Sequence, residues 1–141
     1  MTKIDQYELP DDLYYTAEHV WARVEGNVAT IGVSSFGQDL AGEIVYVEVP
    51  MVGREVTQGE PFMSMESGKW VGRIKSPLSG KIVGANEEIE WESTLVNQDP
   101  YGQGWLAKIE MGDTAELDKL LRANSTELAA QIAEDREKYG K

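Results

Sequence analysis

The chain contains no cysteine. Disulfides, thiolate metal sites and cysteine nucleophiles are therefore excluded. Any sulfur chemistry must come from an attached group. There is a single histidine, His19, so a multi-histidine metal centre cannot be assembled. A Ser-His-Asp triad would need His19 as its base, and no nucleophile-elbow motif accompanies it. His19 reads instead as a strand-edge residue whose nitrogens bond locally. Basic residues are scarce: 13 Lys and Arg face 25 Asp and Glu, a net charge of −12. That balance repels nucleic acid and anionic membranes, so neither is expected as a partner. No apolar run is long enough to span a bilayer. Residues 1–12 are polar and acidic, without the basic head and apolar run of a secretory signal. A cytoplasmic location is expected.

What remains is a turn-rich globular composition. The 141 residues are 41% hydrophobic and include 14 glycines, enough for one domain, 1–141, with a real core. Short runs of alternating apolar and polar residues fill a β core of about 13–110. They include His19 to Val24, Val28 to Val33, Ile44 to Val49 and Trp105 to Ile109. Glu25-Gly26-Asn27 and Ser79-Gly80 read as hairpin turns. Gly42-Glu43-Ile44-Val45 resembles Gly80-Lys81-Ile82-Val83, a weak repeat that suits two similar halves packed face to face. Ser34 to Leu40 reads as a short helix or turn. After Asp113 the spacing of Leu117, Leu120, Leu121, Leu128 and Ile132 predicts two C-terminal helices, 114–122 and 126–138. The fold class expected is mostly β, a sandwich or barrel with C-terminal α-helices. Trp21 and Trp105 read as core residues, and Glu134-Asp135 as part of a solvated helix face.

The segment with most chemical content is Glu66-Ser67-Gly68-Lys69-Trp70. Two strand-like runs, Glu60 to Met65 and Val71 to Lys75, flank a tight turn with Lys69 at its tip. A lysine held out on a hairpin corner offers its amine to a modifying enzyme. Geometry alone also fits an ordinary solvated turn lysine. Trp70 is unusual beside it. It either lies back on the sheet or offers a contact to a partner or an attached arm.

Several segments together resemble the glycine cleavage H-protein family. They are Tyr15-Thr16-Ala17-Glu18-His19-Val20-Trp21, Gly42 to Pro50, Glu66-Ser67-Gly68-Lys69, Ser76 to Gly80 and Leu95 to Leu106. The resemblance implies a barrel-sandwich hybrid of the lipoyl-carrier type and a lipoate in amide linkage to Lys69. It implies a carrier subunit rather than an enzyme. Glu66 would contact the lipoate ligase or lipoyltransferase, and Gly68 would let that enzyme approach the backbone. Biotin is disfavoured, since its usual Met-Lys-Met core is absent around Lys69.

The chain departs from the family pattern where the arm would rest. Val20 stands where the family has a glutamate, and Arg73 where it has an aspartate four residues after the lysine. Gly68 and Trp70 replace a valine and an alanine. In glycine cleavage the arm carries an aminomethyl cation, which carboxylates shelter and a guanidinium would repel. His19, Val20, Trp70 and Arg73 are therefore the expected surroundings of arm and cargo. Arg73 suits an anionic cargo. The chain thus looks more like the H-like lipoate-binding proteins that serve a heterodisulfide-reductase-like sulfur-oxidising complex. That resemblance implies partners of that complex and a dihydrolipoyl dehydrogenase. The alternative is the glycine cleavage carrier itself, working with glycine decarboxylase and aminomethyltransferase. A third reading, of another class, is an unlipoylated interaction domain.

Overall fold

The structure is a computed structural model, and it describes residues 1–140. Its chain opens with a hairpin, β1 (Thr2–Ile4) and β2 (Tyr7–Leu9), paired antiparallel. Sequence patterning missed it, because Ile4, Tyr7 and Leu9 are sparse among acidic residues. Tyr7 and Leu9 are nonetheless buried.

Two further sheets carry the fold. The larger contains β3 (Tyr14–Tyr15), β4 (Val20–Glu25), β5 (Val28–Val33), β7 (Glu55–Val56), β10 (Gly80–Ala85), β11 (Ala107–Met111) and β12 (Leu121–Arg122). Its order is β12-β3-β4-β5-β11-β10-β7. The smaller has β6 (Ile44–Glu48), β8 (Pro61–Ser67) and β9 (Val71–Lys75) in the order β6-β8-β9. Every pairing is antiparallel. The expected mostly-β sandwich with a helical C-terminus is what forms. Short helices α1 (Ser35–Ala41), α2 (Glu88–Trp91) and α3 (Leu95–Gln98) connect the strands, and α4 (Thr126–Tyr139) ends the chain.

Inward-facing residues of both sheets meet in one hydrophobic cluster that includes Ile31, Ile44, Met65, Leu78, Ile82 and Ile109. Each such side chain contributes about 1.5–3 kcal/mol on burial. A second cluster, with Leu9, Tyr15, Trp21, Phe36, Leu128 and Ile132, seats the N-terminal hairpin, α1 and α4.

The Gly42 and Gly80 repeat has a structural counterpart. Each copy opens a strand, β6 or β10, one in each of the two sheets. Each buries its isoleucine completely and then slips register at the valine, between Ile44 and Tyr46 and between Ile82 and Gly84. The shared Ile-Val pair thus places one residue in the core and the next on an exposed β-bulge.

Three expectations change. Gly26-Asn27 does close a two-residue hairpin, with Gly26 at φ +66°. Ser79-Gly80 does not: β9 and β10 lie in different sheets, and the segment between them is a crossover. Ser79 is held there by Glu116, whose carboxylate accepts bonds from its amide at 2.7 Å and its hydroxyl at 2.8 Å. The helix expected over 114–122 is a 3₁₀ helix, Thr114–Lys119, followed by β12. Leu117 and Leu120 are three residues apart, a spacing that puts both on one face of a 3₁₀ turn packed against the larger cluster. Leu121 then pairs with Tyr15 and covers the edge of β3. Trp105 is only partly buried, with the Lys108 ammonium 5.4 Å from its ring centre. The segment 34–40 forms helix α1, capped by Ser34.

Candidate functional site

Lys69 sits in the short connection between β8 and β9. The corner is closed by the Ser67 amide, which donates to the Trp70 carbonyl at 2.7 Å. The Ser67 hydroxyl donates to the Ala41 carbonyl at 2.5 Å and accepts from the Lys69 amide at 3.2 Å. The lysine corner is thereby tied to the end of α1. The side chain of Lys69 is exposed, and among the described residues its amine has no carboxylate partner. Its stem lies over Gly42. A methyl group on Gly42 would stand 2.7 Å from Lys69 Cε.

A cleft of about 460 Å³ opens beside this corner. His19, Val20, Trp70 and Arg73, four residues singled out from sequence as the surroundings of an arm, all line it. Val20 is buried in its wall, whereas Arg73 is exposed and also borders a second groove. Trp70 lies back on the sheet. Its ring occupies the space above Gly72, where a Cβ would come within 2.3 Å of it, and it remains about one-third exposed (36%). The rest of the wall is largely apolar, from Val33, Leu40, Ala41, Met65 and Ile74. An alkyl chain or a dithiolane ring would meet matching surface there, and the free amine of Lys69 is a suitable acyl acceptor. The residues present therefore fit a lysine-linked lipoyl group.

Glu66 is exposed in the cross-sheet row Tyr46–Glu66–Val71 on the small sheet. Gly68 is surrounded by open space, and no left-handed backbone requires glycine there. Internal packing thus gives Gly68 no role.

His19 departs from its expected local bonding. Its Nε2 lies 2.6 Å from Asp135 Oδ2, on α4, 116 residues away. Its backbone is left-handed, φ +69°, in a five-residue bend closed by Thr16 and Val20. That conformation turns the ring inward against Phe36, 4.7 Å between centres. Asp135 is accordingly not on a solvated face. It accepts from both His19 and the Gln131 side chain. Gln131, Asp135 and Tyr139 line the cleft from one stripe of α4. Their four-residue spacing was legible in the sequence, but nothing there indicated which surface the stripe would meet. With Glu18, paired to Lys75 at 3.8 Å on the exposed rim, Asp135 gives the cleft two carboxylates that positions 20 and 73 do not supply.

Burial holds the His19 imidazole below its ordinary value of 6.5, and the Asp135 carboxylate only partly offsets this. The folded state thus favours neutral His19, while the unfolded chain takes up a proton near 6.5. Stability is fully present above that pH and declines as pH falls toward the lower folded value. In thermal melts from pH 7.5 to 5.5, wild type should lose more stability than His19→Gln, narrowing the gap between them. Parallel curves would refute this.

A family profile described as "Glycine cleavage H-protein" matches residues 13–133. The chain is 50% identical over 115 residues to the glycine cleavage system H protein of Symbiobacterium thermophilum, covering 82% of this chain and 90% of that one. It is also 50% identical over 120 residues to the glycine cleavage system H protein of Brevibacillus brevis, covering 85% and 95%. Among solved structures, a glycine cleavage system H protein from Mycobacterium marinum superposes with a TM-score of 0.76. That comparison has 31% identity and covers 89% of this chain and 99% of the other. These relatives favour the glycine cleavage reading over the sulfur-oxidation reading, which none of them supports. With an exposed lysine on a β corner beside an apolar cleft, the chain belongs to the glycine cleavage H-protein family, whose members carry lipoate on a lysine and are carriers rather than catalysts.

Proposed function

We propose that Lys69 bears the lipoyl group in this chain and that the arm carries the aminomethyl group of glycine between partner enzymes. Those partners are glycine decarboxylase, aminomethyltransferase and dihydrolipoyl dehydrogenase, after an initial lipoate ligase or lipoyltransferase. The observation that carries the reading is Lys69, exposed and without a carboxylate partner among the described residues, on the β corner next to Trp70, which lines the cleft, in a chain half identical to proteins named for that system. When bound, lipoate supplies a dithiolane that is reduced as it takes up cargo and is later reoxidised. The protein holds the base of the tether and offers the cleft as a resting place. Tethering raises the concentration of cargo at each partner. Glu18 and Asp135 are the carboxylates available to a bound amine. Intact mass of protein from its native cell tests the first step, because an unmodified Lys69 would leave only the interaction-domain reading.

One observation favours a second cargo. Arg73 stands exposed on the cleft wall without a carboxylate partner among the described residues, and Val20 is apolar. That pair suits an anionic sulfur intermediate of a heterodisulfide-reductase-like system. Loading the lipoylated protein with glycine and decarboxylase separates the two. Arg73→Asp with Val20→Glu changes the wall by three unit charges and should raise aminomethyl loading at least about fivefold, since even one unit charge near 4 Å is worth about 1 kcal/mol in water. Efficient loading of wild type, unchanged by the exchange, would remove the sulfur reading. Failure of wild type to load at all would remove the glycine reading.

A further inference from the structure

We infer that Asn97 is the positioning residue for the lysine corner, acting through Gly42 at a distance along the chain. The inference rests on the reading that Lys69 is the attachment point, and it concerns what holds that lysine in place.

The Asn97 side chain leaves α3 and brackets the turn between α1 and β6. Its amide nitrogen donates to the Gly42 carbonyl at 2.8 Å and to Gln38 Oε1 at 2.9 Å. Its oxygen accepts from the Ile44 amide at 2.9 Å. Three of the four bonds open to an asparagine are thus made. Two of them go to backbone groups on either side of Glu43. No donor-only or acceptor-only side chain could hold both. The bond from the Gly42 amide to the Gln38 carbonyl, 3.0 Å, and the Ser93 hydroxyl on the Ile44 carbonyl, 2.9 Å, complete the clamp.

What the clamp holds is a backbone that only glycine adopts readily: Gly42 has φ +85° and ψ −170°. It is also the surface on which the Lys69 stem lies, with Cε and Nζ 2.7 and 3.4 Å from where a Cβ would project. The hairpin base is anchored to the same turn from the other side, through Ser67 on Ala41 and the pairing of Ser67 with Ile44. Lys69 therefore rests on a segment whose path is set by Asn97. Releasing the clamp frees Gly42 to sample the other conformations open to a glycine, and the platform under the lysine moves with it. Asn97 does not touch the amine and takes no part in chemistry.

Asn86 provides a matched control. Its side chain also donates two bonds to backbone carbonyls, those of Gln103 and Trp105, but it has no bond to the lysine corner. Asn97→Ala and Asn86→Ala should lose comparable thermal stability. In apo-protein lipoylation by a lipoate ligase with ATP, Asn97→Ala should raise KM for the carrier at least about fivefold with kcat within about twofold, since a displacement near 1 Å can cost up to a hundredfold. Asn97→Asp keeps the acceptor for Ile44 but loses both donors, and it should behave like Asn97→Ala. Asn86→Ala should match wild type. Amide NMR of the apo-proteins reads the same point without chemistry. The Gly42, Ser67 and Lys69 resonances should shift in the Asn97 variants and stay in Asn86→Ala. Equal KM values and unmoved resonances in Asn97→Ala would overturn the inference while leaving Lys69 as the carrier residue. If wild type proves unmodified at Lys69, the carrier reading falls, and the resonances alone decide whether Asn97 positions this corner.

Discussion

Lys69→Arg yields a folded protein that accepts no lipoyl group. Forming the amide requires a primary amine that gives up a proton and attacks the activated carboxyl of lipoate. A guanidinium stays protonated throughout the accessible pH range and cannot serve. The substitution keeps charge and length, so surface electrostatics barely change. Lys69 is exposed and has no carboxylate partner among the described residues, and its replacement should alter stability by no more than about 0.5 kcal/mol. Intact mass after incubation with lipoate ligase should show full modification of wild type and none of the variant, alongside matching melting curves. The nearest competitor on the same strand pair, Lys75, lies at the far end of β9 beside Glu18. A lipoyl group found on Lys75 in the variant would show that placement on the β corner is not what selects the lysine. A fully loaded Lys69→Arg would end the assignment of Lys69.

The corner was legible in sequence because its determinants are local. Alternation on either side of Gly68-Lys69 specifies two strands, and two strands so close can only be joined by a reverse bend. Strands such as Val28–Val33 were legible for the same reason. The convergence of His19, Val20, Trp70 and Arg73 on one cleft was suggested by family resemblance and realised by strand placement. Periodicity alone could not have found it, since His19 and Val20 lie just before and at the start of β4, and Trp70 and Arg73 just before and within β9, in different sheets. What stayed hidden was non-local. His19 bonds Asp135 across 116 residues, and no pattern in either segment marks the other. Ser79-Gly80 has the composition of a hairpin turn, but Glu116 fixes it as a crossover. The leucines after Asp113 satisfy helical spacing, yet pairing of Leu121 with Tyr15 redirects the chain into a strand. In each case a partner distant in sequence outweighed a correct local tendency.

Trp21→Ala should cause the largest loss of stability of any single change considered, about 3–5 kcal/mol. Trp21 is fully buried in β4. Its ring lies on Gly32, its register partner in β5, where a Cβ would come within 2.3 Å of the indole. The glycine thus provides the space that the tryptophan fills. The indole nitrogen bonds the carbonyls of Val33 at 3.1 Å and Pro100 at 3.0 Å, and the Tyr101 ring packs 6.0 Å away. Trp21 therefore joins the central strands to the loop that follows α3, the helix that carries Asn97. Alanine would open a cavity above Gly32 that neither flanking strand can close without breaking the sheet. It would also leave the loop carbonyl of Pro100 without its donor. Trp21→Phe retains most of the apolar area and loses only the two hydrogen bonds, so it should cost about 1–3 kcal/mol. Urea unfolding measures both. The order should be wild type, Trp21→Phe, then Trp21→Ala, with the larger step at the loss of the ring. A Trp21→Ala protein within about 1 kcal/mol of wild type would mean that the second hydrophobic cluster is not a determinant of the fold. The coupling to α3 gives a further test. At temperatures where Trp21→Ala remains folded, its Lys69 amide resonance should move toward that of Asn97→Ala, because both changes loosen the support under the same turn.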